Sequence, residues 1–97
     1  MEEKKRQIAQ AIDAVSQEIG ALAKDIHDNP ELGFEEFKAL GFISAELEKH
    51  GFTVQKGYGG LDSYFRADAR GQAGGPTVAF LAVYDALNGC GHGCGHN

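Results

Sequence analysis

The chain has 97 residues, 42% hydrophobic and 24% charged, with a net charge of −5. That length allows one domain with one modest core, and that balance excludes a globally disordered chain. Without a basic cluster beyond Lys4, Lys5 and Arg6 the acidic excess speaks against a nucleic-acid or anionic-membrane surface. "MEEKKRQ" is too charged for a signal peptide, and no apolar run approaches membrane length, so a cytoplasmic chain with reduced thiols is expected.

Residues 3–27 read as a helix. Ile8, Ile12, Val15, Ile19, Leu22 and Ile26 recur at spacings of four and three and share one stripe, with charged residues on the other faces. A coiled-coil strand fits the same spacing; a helix packed on a sheet fits better, because the segments that follow need a cover. Asn29 before Pro30 is pushed out of the helical region and ends the helix. A second helix is predicted over 33–50, with Phe34, Phe37, Leu40, Ile43 and Leu47 as its stripe and Gly51 as its C-terminal cap. Gly41 inside it costs about 1 kcal/mol of helix propensity, which points to a close neighbour there.

The period then changes to two. "FTVQK" (52–56) and "LDSYFRADA" (61–69), joined by "GYGG", predict a hairpin with one wet face. "PTVAFLAVY" (76–84) is apolar on both faces, as a strand inside a covered sheet would be. The expected fold is therefore α/β, two helices packed on a three-stranded portion of a larger mixed sheet. Two helices cover one face of such a sheet, so the chain is expected either to self-associate or to be a piece of something larger.

After Arg70 the only charged residue is Asp85, and the chain closes on "NGCGHGCGHN" (88–97). In open α/β sheets sites form at the carboxyl ends of central strands, which is where this loop falls. Cys94 and His96 form a C-x-H pair across Gly95, and thiolate with imidazole suits Zn²⁺ and other first-row divalent metals. Cys90 and His92 repeat the spacing, so a closed Cys₂His₂ site from Cys90, His92, Cys94 and His96 is an alternative; structural zinc sites more often draw ligands from two separated knuckles. A Cys90–Cys94 disulfide is strained and disfavoured in a reducing compartment. His92 also reads as a loop residue or as a group behind the ligands. His27 and His50, at predicted helix ends, and Glu35 and Glu36, in the first turn of the second helix, read as structural groups facing helix dipoles. Neither phosphate-loop pattern is present.

"IHDNPELGFEEFKA", followed some way on by "VYDALNGCGHGCGHN", resembles the aminoacylase/carboxypeptidase family of metallopeptidases. Its amidohydrolase branch includes N-acyl amino acid, indole-acetyl-amino-acid and aminobenzoyl-glutamate hydrolases. In that branch the pattern runs H-x-x-P-E-L-G-x-x-E, then Y-D-A-L-P-G, then G-H-x-C-G-H-[ND]. The matching residues here are His27, Pro30, Glu31, Leu32, Gly33 and Glu36, then Tyr84 to Leu87, then Gly91 to Asn97, so the resemblance covers essentially the whole chain.

The resemblance implies a two-domain enzyme with two metal ions in a zinc-peptidase-like catalytic domain, of which residues 1–97 would be the N-terminal segment and 85–97 the metal-ligand loop. It implies that Cys94 and His96 are ligands, that Asp85 stands behind them as an orienting group, and that the general base and remaining ligands lie outside these residues. The metal would be zinc, with manganese, cobalt or nickel as alternatives, and the substrate an N-acyl amino acid or short peptide. Two positions depart from the branch pattern: Asn88 replaces a proline, and Cys90 replaces an apolar residue, which argues against Cys90 as a ligand. The isolated chain is then expected to be inactive and to self-associate. The competing expectations are a non-catalytic metal-binding module and an interaction fragment with an open sheet edge.

Overall fold

In a computed structural model, which describes residues 1–72 and 74–97, the predicted helices and hairpin form and the third strand does not. Helix α1 spans Glu2–Asp28 and helix α2 spans Phe37–Lys49; strands β1 (Thr53–Lys56) and β2 (Phe65–Asp68) form an antiparallel pair. Helix α2 packs on the hairpin and α1 packs chiefly on α2, so the layers run helix, helix, sheet rather than two helices side by side on one face.

α1 ends where Asn29 leaves the helix, one residue before Pro30; its backbone N–H donates to Ile26 and its side-chain amide to the Asp25 carbonyl. Only the C-terminal part of its stripe is used. Ile26 is buried and Leu22 half-buried, whereas Ile8, Ile12 and Ile19 remain exposed.

α2 starts at Phe37, four residues later than the sequence pattern indicates. The reason is local. Phe34 adopts φ 70°, a left-handed conformation rare for an aromatic residue, and the Glu35 N–H closes a turn onto Leu32. The Glu31 carboxylate then reaches forward and accepts hydrogen bonds from the Lys38 and Ala39 N–H groups, both at 2.9 Å. That cap satisfies free donors of the first helical turn, and it places an anion at the positive end of the helix dipole. At the other end Gly51 takes φ 90°, and the Gly51 and Phe52 N–H groups bond to Glu48 and Leu47, the paired C-terminal closure that the glycine predicts. The close neighbour expected at Gly41 is absent among the described residues: a β-carbon there would meet none of them within 4 Å.

The hairpin pairs Thr53 with Asp68 and Lys56 with Phe65. The expected first half of the second strand, 61–64, is a turn instead, closed by the Tyr64 N–H on Leu61, with Gly57 at φ 72° supplying the left-handed residue at the bend.

The segment 76–84 runs outside any strand, with Val78, Phe80, Leu81 and Val83 exposed. A strand that is apolar on both faces needs partners on both edges and cover on both sides, and these residues supply neither. The two-stranded sheet therefore replaces the three-stranded one. The chain regains a partner only at its end, where Ala86 donates to the Glu31 carbonyl at 2.6 Å in a parallel bridge between Leu32 and Ala86.

That bridge and the small core hold the final loop. The core is Ile26, Ala39 and Tyr84, with Leu22, Phe42, Ile43 and Phe65 against it. Tyr84 donates its hydroxyl to the Ser63 carbonyl at 2.8 Å, and burial, with the Glu36 carboxylate, pushes its pKa up to about 12, so it remains a donor.

Candidate metal centre

The loop starts from Asp85, which follows the buried Tyr84 and precedes the buried Ala86. Its fixed backbone turns the rest of the loop around it. Leu87 and Gly91 pair through N–H to carbonyl bonds in both directions, and Gly93 and Gly95 donate back to Cys90 and His92. Gly91 at φ 56° and Gly95 at φ 86° take conformations that a side chain would strain, and Gly91 also lies against Pro30. The alternating glycines are thus a way of coiling the chain tightly enough for its side chains to face one residue.

That residue is Asp85. His96 Nδ1 lies 2.8 Å from the Asp85 carboxylate, and the Cys94 thiol points to the Asp85 carbonyl at 3.8 Å. The hydrogen bond to His96 holds the Asp85 carboxyl below the usual carboxylate range. With Nδ1 engaged, Nε2 is the nitrogen of His96 left for another partner. Asn97 ties the end of the loop to α1 by donating to the Ala23 carbonyl. His96 and Asn97 also border an open apolar cavity of about 190 Å³ lined by Ile19, Leu22, Ile26 and Val83.

Cys90 and Cys94 are both free and exposed. His92 is buried, and among the described residues neither of its ring nitrogens has a hydrogen-bond partner. The structure therefore brings Cys94, His96 and Asp85 into one arrangement, while Cys90 stays in solvent. Among the described residues, Cys90, His92, Cys94, His96 and Asp85 do not supply three ligand atoms within 4.8 Å of one another.

One such trio does occur, elsewhere. Glu18 of α1, Glu46 of α2 and His50, the residue that caps α2, converge, with His50 Nε2 3.0 Å from Glu18 and 3.2 Å from Glu46. Lys49 adds a contact to Glu18 at 3.2 Å. Hydrogen bonds with Glu46, His50 and Lys49 pull the Glu18 carboxyl down to about 2, and hydrogen bonds that Glu18 and Glu46 accept from the His50 ring raise its pKa. Sequence pattern places His50 at a helix end and gives no sign of this junction as a whole. The i, i+4 spacing of Glu46 and His50 is the visible half of the signal; the part played by Glu18 depends on how the helices dock.

No protein-family model matches the chain. Curated relatives do. The chain is 41% identical to Xaa-Arg dipeptidase of Mus musculus over 96% of its length, and 39% identical to a subunit of the p-aminobenzoyl-glutamate hydrolase of Escherichia coli (strain K12) over 100%. It is 32% identical to thermostable carboxypeptidase 2 of Saccharolobus solfataricus over 78%. In each case it spans 23% of the relative. The chain is thus a homologue of dipeptidases, carboxypeptidases and amidohydrolases over most or all of its length, and it corresponds to about a quarter of theirs. No helix among the described residues is long and apolar enough to cross a membrane.

Proposed function

We propose that the chain forms part of a metal-dependent amidohydrolase that cleaves amide bonds of N-acyl amino acids or short peptides, and that it contributes two metal ligands, Cys94 and His96. The carrying observation is the double hold of Asp85: its carboxylate fixes the His96 ring through Nδ1, and its carbonyl faces the Cys94 thiol. Carboxylate-backed imidazole is the common way in which a metal-binding histidine is oriented and made more basic. A soft thiolate and a borderline imidazole suit zinc first, with manganese, cobalt or nickel as alternatives. Names of relatives that end in dipeptidase, carboxypeptidase and hydrolase support the reaction class.

When bound, such a divalent ion polarises a substrate carbonyl and lowers the pKa of water. The parts played by these residues are narrower. Cys94 and His96 bind; Asp85 orients His96 and keeps a proton at Nδ1, so that Nε2 remains a lone-pair donor. Glycines set the loop curvature. A general base that takes a proton from water is required, and it is assigned to the part of the enzyme beyond these residues. The absence of any close trio among Cys90, His92, Cys94 and His96 weighs against a closed four-ligand module.

Joining the chain to the complementary portion of a related amidohydrolase provides the test. The joined protein is expected to hydrolyse an N-acyl amino acid or dipeptide, and Cys94→Ala or His96→Ala is expected to remove most of that activity. The chain alone should show none above a metal-only control. Full activity in the joined Cys94→Ala, His96→Ala protein would overturn the assignment.

A further inference from the structure

The buried His92 has no part in the site just described. It is 7% exposed, and a neutral imidazole carries one donor and one acceptor, both here without a partner. Enclosing such a ring without hydrogen bonds is unfavourable unless something else takes its place. The ring lies beside that of His27, from the last turn of α1, with centroids 6.4 Å apart and planes inclined by 31°.

His27 has the opposite character. It is exposed, and its Nδ1 lies 3.5 Å from the Asp28 carboxylate. Asp28 is kept anionic by Lys24 and then by His27, both of which lower its pKa. A carboxylate at Nδ1 leaves Nε2 as the nitrogen for another partner. The pairing of Asp28 with His27 thus repeats, at the end of α1, the pairing of Asp85 with His96.

The separation of the two rings matters. A first-row divalent ion about 2.0–2.1 Å from one nitrogen of each ring would hold the centroids roughly 5–6.5 Å apart as the angle at the ion opens from tetrahedral to linear. The observed 6.4 Å lies at the linear end of that span, so a bent arrangement at the ion requires the exposed His27 ring to turn toward His92. A direct ring-to-ring hydrogen bond would need the centroids nearer, at about 5 Å.

We infer that His27 and His92 form a two-imidazole site for a first-row divalent cation, separate from Cys94 and His96. Two imidazoles favour Zn²⁺, Cu²⁺ or Ni²⁺ over the oxygen-seeking Mg²⁺ and Ca²⁺. The site would fasten the final loop to the end of α1, which adjoin in space and lie far apart in sequence.

The test uses the 97-residue chain carrying Cys94→Ala and His96→Ala, titrated with Zn²⁺ while the histidine side-chain resonances are followed. The imidazole signals of His27 and His92 are expected to shift together and saturate, with no response to Mg²⁺. His27→Gln, a change at an exposed position whose fold is checked by circular dichroism, is expected to weaken binding about tenfold or more. Unmoved His92 signals at saturating Zn²⁺, or unchanged affinity in His27→Gln, would overturn the inference. In a chain carrying Cys90→Ser, Co²⁺ separates this site from the other: a thiolate-to-metal absorption band then reports Cys94 alone, so either site can fail while the other remains readable.

Discussion

Single residues decide how this chain presents chemistry, and Glu31 shows it. In the sequence it belongs to the P-E-L-G stretch that carries the resemblance to metallopeptidases; in the structure its carboxylate caps α2 by accepting two backbone N–H bonds. Its own carbonyl accepts the Ala86 N–H, so one residue anchors both α2 and the start of the final loop. Replacing it by alanine removes the cap and should destabilise the chain by about 1–2 kcal/mol. A shift in urea midpoint measures this, and an unchanged midpoint would mean that the Glu31 carboxylate does not anchor α2. The sequence was legible here where residue types carry the meaning. Cysteine and histidine on alternate positions point to soft metal ligands, and the family resemblance places Asp85 behind them, where its contacts with His96 and Cys94 are found. The burial of His92 and the Glu18–Glu46–His50 junction were hidden, because both arise from surfaces brought together by folding.

Elements were legible in proportion to how local their causes are. Helix α1 and the end of α2 follow from Asn29-Pro30 and Gly51, and both matched within a residue or so. The start of α2 was misplaced because Phe34 sits in a left-handed turn that sequence pattern disfavours. The 76–84 strand was misread for a different reason: pattern can state that a segment wants partners on both sides, but it cannot supply them. The junction of α1 with α2 carries a pH prediction. The folded pKa of His50 lies above its ordinary 6.5, so its contribution is full below that value and is lost as pH rises through the folded pKa. The folded pKa of Glu18, about 2, lies below its ordinary 4.5, so its contribution is full above 4.5 and is lost as pH falls toward 2. The stabilisation from this junction is therefore greatest between 4.5 and 6.5. Glu18 is half-buried and His50 exposed, so the effect is modest and screened by salt. Urea midpoints measured across that range and above it should fall on the alkaline side in the native chain and fall less in His50→Gln. An identical pH profile in the variant would show that the junction is an ornament of the surface.

The whole molecule carries apolar surface that its own elements do not cover. Phe80 and Leu81 are 91% and 98% exposed, and Val78 and Val83 lie beside them. Ile8, Ile12 and Ile19 add a second exposed row along α1. Burial of apolar surface is worth about 25 cal/mol per Å², so a partner over these residues would contribute several kcal/mol to a chain whose total stability is of the order of 5–15 kcal/mol. Either a second copy or the complementary part of the relatives' length would serve. Sedimentation is expected to show concentration-dependent self-association, reduced by Phe80→Ser with Leu81→Ser. A stable, monodisperse monomer at high concentration would mean that the exposed row needs no partner.

If Cys94 and His96 belong to a metal site whose other ligands lie beyond these residues, the chain alone holds only part of a coordination sphere. Titration with Zn²⁺ against a chelating dye reads this out. Closed four-ligand structural sites bind with apparent energies of about 10–16 kcal/mol, and two ligands should fall far below that. Weak, reversible binding is expected, reduced in Cys94→Ala to whatever the histidines outside this site retain and unaffected by Cys90→Ser. Tight stoichiometric binding abolished by Cys90→Ser would refute the half-site and establish a closed module in its place.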